Sequence, residues 1–338
     1  MAESSSFPSV PPILSVQELA KEPMTAVPQP FILDDPELPL DLSKRASLPT
    51  IPTIDMKHLI MSETTDFELE NLHSTCREWG AFQLVNHGVS SSLMEKLKSE
   101  IGKFYRLPLE EKMKYKIRPG SVEGYGLSLI RSQDQKLDWG DRDTLESYLS
   151  EMQKLAMTLL GFMAKALNLD KRDMEELFDD GMQSVRMTYY PPCPQPELVM
   201  GLTPHSDASG ITVLLQVNGV DGLQVKKDGV WIPVNFLPDA FVVNLGDILE
   251  IVSNGIYNSI EHRAVANSVT ERISIAMFFN TKFSAEIGPA IGLINPQNPP
   301  LFKRVGMEKY FRDFFARKLE GKAYLEYMKI KNGEGDTA

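Results

Sequence analysis

The run ITVLLQVNGVDGLQVKKDG, residues 211–229, sets the fold class. Two β-rich segments, 211–216 and 223–227, are bounded by Asn218-Gly219, Asp221-Gly222 and Asp228-Gly229. Such dipeptides favour tight turns because they tolerate positive φ. The same rhythm extends outward: 184–190 precedes the run, and 240–245, 248–252, 257–266 and 272–280 follow it, with a further turn at Asn254-Gly255. Many short strands with this punctuation bury their apolar faces by forming a sandwich or closing into a barrel.

The preceding half reads mostly as helix. Residues 143–167 carry Tyr148, Met152, Leu155, Leu159 and Met163 at steps of three and four, a single apolar stripe for core packing. An amphipathic helix over 65–79 stops at Gly80, and a second is expected over 90–106. Ser15, with Glu18 three residues on, predicts a short capped helix. Short strands are expected at 51–56 and 81–85, the latter closed by Asn86-His87-Gly88. Helix resumes over 307–319 and around 324–330. The chain thus divides into an arm (1–48), a mixed region (49–142), a supporting helical segment (143–180), a β-rich catalytic domain (181–285) and C-terminal helices (286–338).

The 338 residues carry a net charge of -11. Holding a phosphate backbone needs clustered Lys and Arg, so nucleic acid is not an expected partner. The basic run from Lys112 to Lys116 reads as a solvated helix face. No stretch of about 18 apolar residues predicts a membrane span, and the start Met1-Ala2-Glu3 lacks the charged and apolar regions of a secretory leader. Cys76 and Cys193 read as reduced thiols. A soluble, cytoplasmic, monomeric protein acting on a small molecule is the expectation.

His205-Ser206-Asp207 supplies the first chemistry. In extended backbone, residues i and i+2 point to one side about 6.6 Å apart, so an imidazole and a carboxylate can converge on one metal ion. Alone, a His-x-Asp is a weak signal and can be a polar pair in a loop. His262 adds a third donor from a distant segment, read as the return strand of a hairpin turning at Asn254-Gly255. Two His and one carboxylate leave positions open on ferrous iron for a cosubstrate and O2. Zinc can use the same donors with a water, although no general base beside such a water is identifiable. Arg272-Ile273-Ser274 favours iron. Arg272, Ser274 and Phe278 share one strand face, with Ile273, Ile275 and Met277 on the other. A buried guanidinium requires a partner and can grip a carboxylate at two points, with a hydroxyl adding a third bond. The alternative for Arg272 is a structural salt bridge.

These residues sit within longer matches. Trp79-Gly80-Ala81-Phe82-Gln83-Leu84-Val85-Asn86-His87-Gly88, Tyr189-Tyr190-Pro191-Pro192-Cys193-Pro194-Gln195-Pro196, Gly201-Leu202-Thr203-Pro204-His205-Ser206-Asp207, Gly246-Asp247-Ile248-Leu249-Glu250 and Glu261-His262-Arg263 occur in one order, followed by Arg272-x-Ser274. From about residue 14 to 330 the sequence resembles the plant 2-oxoglutarate/iron(II)-dependent dioxygenases, in the senescence-related and codeine/thebaine O-demethylase-like branch. The resemblance implies a double-stranded β-helix (jelly-roll) core flanked by helices. It implies iron ligation by His205, Asp207 and His262, a clamp for the distal carboxylate of 2-oxoglutarate at Arg272 and Ser274, cosubstrate contact by Tyr190, and substrate contact by Phe278. It also implies Fe(2+), 2-oxoglutarate and O2, with ascorbate as reductant. The implied reaction hydroxylates or O-demethylates a small specialised metabolite while 2-oxoglutarate becomes succinate and CO2. His87 is read as structural, and His58 and His73 as surface or packing residues.

Two departures from the family pattern stand out. Thr188 occupies a position where the family commonly has Asn, keeping a hydroxyl but losing the amide. Leu137-Asp138-Trp139-Gly140-Asp141 runs directly into Arg142-Asp143-Thr144-Leu145-Glu146, where the resemblance leads one to expect roughly 25–30 more residues carrying a strand and part of the pocket wall. A shortened isoform with an intact metal site and impaired or uncoupled catalysis is the alternative reading.

Overall fold

The computed structural model describes residues 15–22, 24–34, 48–116, 142–317 and 321–331. In chain order its elements are α1 (Val16–Leu19), β1 (Thr53–Asp55), α2 (Met56–Ile60), α3 (Thr65–Glu78), β2 (Ala81–Val85), α4 (Ser91–Arg106), α5 (Leu109–Met113), α6 (Arg142–Ala166), α7 (Lys171–Phe178), β3 (Gln183–Tyr190), β4 (Leu202–His205), β5 (Ile211–Gln216), β6 (Leu223–Lys227), β7 (Val230–Pro233), β8 (Phe241–Leu245), α8 (Asp247–Val252), β9 (His262–Ala264), β10 (Arg272–Phe279), β11 (Glu286–Ile287), β12 (Val305–Gly306), α9 (Met307–Phe315) and α10 (Ala323–Met328).

The strands form a six-stranded sheet, β1-β2-β8-β5-β10-β3, and a four-stranded sheet, β4-β9-β6-β7. Apart from the parallel β1–β2 pair, neighbours in both sheets are antiparallel. Non-consecutive neighbours across two sheets give the jelly roll, and one cavity is lined from both. Its position follows from the pleat of β10. Ile273, Ile275 and Met277 are buried in the same core as Tyr148, Met152, Leu155, Leu159 and Met163 of α6. Arg272, Ser274 and Phe278 point the other way and line the cavity. Full burial of each large apolar side chain contributes roughly 1.5–3 kcal/mol, so α6 firmly fixes the outer face of β10.

Local chemistry explains most boundaries. The Ser15 hydroxyl accepts from the Glu18 amide and caps α1. Gly80 ends the α3 region at φ +67°, and a Cβ there would lie 2.0 Å from the Asn258 carbonyl oxygen, so the position requires glycine. Asp228 and Gly229 both have positive φ and join β6 to β7 as a two-residue hairpin, with Lys227 paired to Val230.

Four expectations need correction. Residues 248–252 form not a strand but the helix α8, wholly buried, with Asp247 and Glu250 in its first turn. Consequently no hairpin turns at Asn254-Gly255; these two positive-φ residues instead follow α8. Of the strand expected over 257–266, only His262–Ala264 pairs, because Tyr257 is drawn into the core against α6, its hydroxyl 3.4 Å from the Met163 carbonyl. Finally, Lys112 is not a solvated residue. It is fully buried, and its Nζ donates to Gln17 Oε1 at 2.5 Å and lies 3.4 Å from the Tyr105 carbonyl.

The junction after Asp141, together with Leu137 to Asp141, lies outside the described residues. Among those described, β3 is an edge of the six-stranded sheet, and no helix is long and apolar enough to cross a membrane. Cys76 and Cys193 are both free.

Candidate metal centre and cosubstrate pocket

His205 ends β4, Asp207 lies two residues beyond it, and His262 opens β9. Antiparallel pairing of these strands sets His205 directly opposite His262. Their rings lie 4.3 Å apart between centroids. Asp207 Oδ1 sits 3.4 Å from His205 Nε2 and 3.7 Å from His262 Nε2. All three side chains are buried, and their donor atoms lie within 4.8 Å of one another, which suits a single ion.

Outer contacts aim these donors. His205 Nδ1 donates to the Thr203 carbonyl at 2.7 Å, and His262 Nδ1 to the Ile260 carbonyl at 3.2 Å. Each Nε2 is thereby left with a lone pair for a metal. Asp207 Oδ2 accepts from Thr212 Oγ1 at 2.6 Å and from Asn244 Nδ2 at 2.7 Å. Oδ1 therefore faces the histidines. Burial alone pushes the Asp207 carboxyl up, but the adjoining His262 and His205 rings and the hydrogen bond from Thr212 outweigh it, holding Asp207 well below the usual carboxylate range. Burial lowers the pKa of His262 against the opposing pull of Asp207, favouring the neutral imidazole that a metal needs.

The centre is strapped from outside. The Gly321 amide donates to the Pro204 carbonyl and the Ser206 amide to the Gly321 carbonyl, both at 3.1 Å, so Gly321 bridges in parallel to His205. Lys322 Nζ binds Glu250 Oε2 at 2.7 Å, tying the same segment to α8. The Asp247 amide donates to the Asp207 carbonyl at 2.7 Å.

In the same cavity Arg272 is 2% exposed and makes no ion pair among the described residues, Asp221 acting on it only through space. Its guanidinium lies 5.3 Å from the Tyr190 ring and 3.4 Å from Ser274 Oγ, while Nε has no hydrogen-bond partner. Burial lowers the Arg272 pKa, with Tyr190 opposing; a guanidinium nonetheless stays charged. Thr188 Oγ1 lies 3.4 Å from Ser274 Oγ, so the hydroxyl at this position joins the same group. Two glycines make the room. A Cβ on Gly222 would lie 2.8 Å from Arg272 Cδ, and one on Gly201 would lie 2.9 Å from the Tyr190 ring. A buried cation with an unpaired donor, in a cradle cleared by glycines, fits a small carboxylate. Two imidazoles and one carboxylate fit iron. The residues present therefore suit both groups.

All eight site residues expected from sequence line this cavity: His205, Asp207, His262, Arg272, Ser274, Tyr190, Thr188 and Phe278. Thr212, Asn244, Arg186, Phe311 and Phe314 line it too and were not anticipated. A signal existed for two of them: Thr212 and Asn244 are lone polar residues inside apolar strands, a pattern that demands a buried partner. His87 lies elsewhere. Its Nδ1 accepts from the Val89 amide at 3.2 Å, and its Nε2 donates to the Asp239 carbonyl at 2.8 Å. His73 contacts Tyr257, and His58 is exposed beside Asp55.

Jelly roll, facial donor set and diacid cradle together define a non-haem ferrous oxygenase. Comparison with known proteins agrees. Residues 181–281 match the 2OG-Fe(II) oxygenase superfamily, and residues 51–161 match the N-terminal region of the non-haem dioxygenases in morphine synthesis. The chain is 45% identical to oxoglutarate-dependent flavonoid 7-O-demethylase 1 of Ocimum basilicum, with 98% of this chain and 95% of the relative covered. That alignment runs to 360 positions, more than the chain's 338 residues, so part of the relative has no counterpart here. Codeine O-demethylase of Papaver somniferum is 47% identical, with 94% of this chain and 96% of the relative covered. Among solved structures, JOX2 in complex with 2OG, Fe and JA superimposes with a TM-score of 0.84 at 33% identity, over 95% of this chain and 98% of that one. The chain belongs to the 2OG-Fe(II) oxygenase superfamily and is a 2-oxoglutarate-dependent dioxygenase that uses Fe(2+), 2-oxoglutarate and O2, with ascorbate typical of the family.

Proposed function

We propose that this enzyme O-demethylates or hydroxylates a small aromatic specialised metabolite, with His205, Asp207 and His262 as iron ligands. Arg272 and Ser274 hold the distal carboxylate of 2-oxoglutarate, aided by Tyr190 and Thr188, and Phe278 packs against the substrate. The observation that carries this reading is the buried Arg272, which makes no ion pair among the described residues and shares one cavity with the three converging donors.

Bound ferrous iron supplies O2 activation coupled to the loss of CO2 from 2-oxoglutarate. One oxygen atom ends in succinate and the other on the substrate carbon. On a methyl ether the hydroxylated carbon is a hemiacetal, which collapses to a free hydroxyl and formaldehyde. The chain's own residues orient these events. Arg272 and Ser274 fix the cosubstrate's far end, Thr212 and Asn244 keep Asp207 presenting one oxygen, and the apolar walls exclude water. Demethylation is supported by the flavonoid 7-O-demethylase and codeine O-demethylase relatives.

The intact donors and clamp support an active enzyme over a shortened, uncoupled form. The two free cysteines support a reducing, cytoplasmic setting, and a monomer acting on a small molecule is the simplest assembly for an enclosed cavity. The division at 1–48, 49–142, 143–180, 181–285 and 286–338 belongs to the same proposal. Anaerobic titration of the protein with Fe(II) and 2-oxoglutarate tests the site through the visible charge-transfer band of the chelate. Aerobic turnover with methoxyflavones then reads succinate against formaldehyde. A band with one formaldehyde per succinate supports the proposal; absence of the band sinks the site assignment, and succinate without product restores the uncoupled alternative.

A further inference from the structure

Arg272 stands where a ladder runs out. On one side its strand, β10, pairs with β3, and Arg272 lies opposite Tyr190. On the other side β10 pairs with β5, whose register ends with Gln216 opposite Ser274. One further backbone bond follows, from the Val217 amide to the Ile273 carbonyl at 3.0 Å. Residues 217–222 then leave the strand as the loop to β6. The next backbone groups of β10 on that side are the Ile273 amide and the Glu271 carbonyl, and each needs a partner.

Asn218 supplies both partners from its side chain. Its Oδ1 accepts from the Ile273 amide at 2.9 Å, and its Nδ2 donates to the Glu271 carbonyl at 2.6 Å. Those two groups belong to the peptide units that join Arg272 to its neighbours. One exposed carboxamide thus stands in for a strand residue and grips the backbone on both flanks of Arg272. The same loop meets Arg272 twice more: Gly222 clears room for Cδ, and Asp221 acts on the guanidinium through space. The sheet does not depend on this grip. β10 is paired to β3 along its whole length and to β5 from Ser274 to Phe279, and the Glu271 side chain is separately held by the Tyr189 hydroxyl at 2.6 Å. What the grip fixes is the direction from which the guanidinium enters the cavity. Two-point recognition of a carboxylate depends on that direction, because binding groups must be held to within about 0.5 Å.

We propose that Asn218 is a positioning residue for the cosubstrate: by fixing the backbone on either side of Arg272, it aims the guanidinium at the distal carboxylate of 2-oxoglutarate. This rests on the oxygenase reading of the same cavity. It adds that Asn218, outside the cavity lining, acts on 2-oxoglutarate only through Arg272.

The test uses the full chain under anaerobic conditions. It reads the dissociation constant of Fe(II) alone and that of 2-oxoglutarate at saturating Fe(II). Asn218→Ala should raise the 2-oxoglutarate constant about three- to tenfold, the worth of one neutral hydrogen bond, and leave the Fe(II) constant near wild type. Asn218→Ser, which can bond one flank only, should fall between the two. In an Arg272→Lys background, Asn218→Ala should cost less than about twofold, since residues acting through one another are not additive. Unchanged 2-oxoglutarate affinity in Asn218→Ala overturns the proposal. So does equal weakening of Fe(II) and 2-oxoglutarate, a full cost retained in the Arg272→Lys background, or loss of the fold in both Asn218 variants. Failure of the wild-type iron–2-oxoglutarate chelate to form strikes instead at the oxygenase reading beneath it.

Discussion

Thr212→Val replaces a hydroxyl by a methyl of similar shape at a buried position 2.6 Å from Asp207 Oδ2. Oδ2 then keeps only the Asn244 amide, 2.7 Å away. A hydrogen bond to a charged group contributes about 1.5–3 kcal/mol, and each 1.4 kcal/mol is tenfold in affinity. The freed carboxylate can rotate, so Oδ1 no longer points steadily at the histidines. Weakening of ferrous binding by roughly 10–100-fold is expected, the range known for contacts that orient metal ligands. Anaerobic Fe(II) titration at saturating 2-oxoglutarate, read by the charge-transfer band, measures it. Ser209→Ala is the control, because Ser209 Oγ lies 3.0 Å from Thr212 Oγ1, whereas Asp207 Oδ2 accepts from Thr212 and Asn244. It should leave iron affinity near wild type. Equal iron affinity in wild type and Thr212→Val, with only the thermal midpoint lowered, would refute the reasoning: the hydroxyl would then serve folding alone.

Arg272→Lys should raise the dissociation constant of 2-oxoglutarate by roughly 10–100-fold while sparing iron affinity, because an ammonium cannot offer the two-point grip of a guanidinium; isothermal titration of both ligands checks this. Gly222→Ala should move the same constant in the same direction, since the new Cβ would meet Arg272 Cδ at 2.8 Å and the Val265 carbonyl at 3.0 Å. The fold should also lose stability on the acid side through His87. Burial holds this imidazole below its ordinary 6.5, and protonating Nδ1 would break its bond from the Val89 amide. The unfolded chain therefore binds more protons as pH falls below 6.5, so the contribution is complete above that pH and is lost as pH drops through the folded value. Thermal midpoints of wild type and His87→Asn, compared across this range, should show a shallower acid slope in the variant.

The β-rich half was legible because its strands alternate and its turns are written in Asn-Gly and Asp-Gly. Arg272, Ser274 and Phe278 could be assigned to one face from spacing alone, and β10 keeps that alternation. What failed had physical causes. Residues 248–252 are apolar apart from Glu250, so periodicity could not distinguish a short buried strand from α8; the acids Asp247 and Glu250, now in its first turn, were the missed sign. The return strand shrank because Tyr257 satisfies its bulk in the helical core rather than in a ladder. Strand β7 was missed although the turn before it, Asp228-Gly229, was recognised. Lys112 reads as surface in any local window, since the partners that bury it come from Gln17 and Tyr105. Asn218 was legible only as part of a turn, since the backbone groups it holds come from Glu271 and Ile273.

The strap at Gly321 has a consequence for biosynthesis. A growing polypeptide presents both histidines and the aspartate well before Gly321 has been made, yet the loop bearing Pro204 and Ser206 keeps two open backbone valences until then. Iron capture is therefore best supported after the downstream segment has left the ribosome and docked.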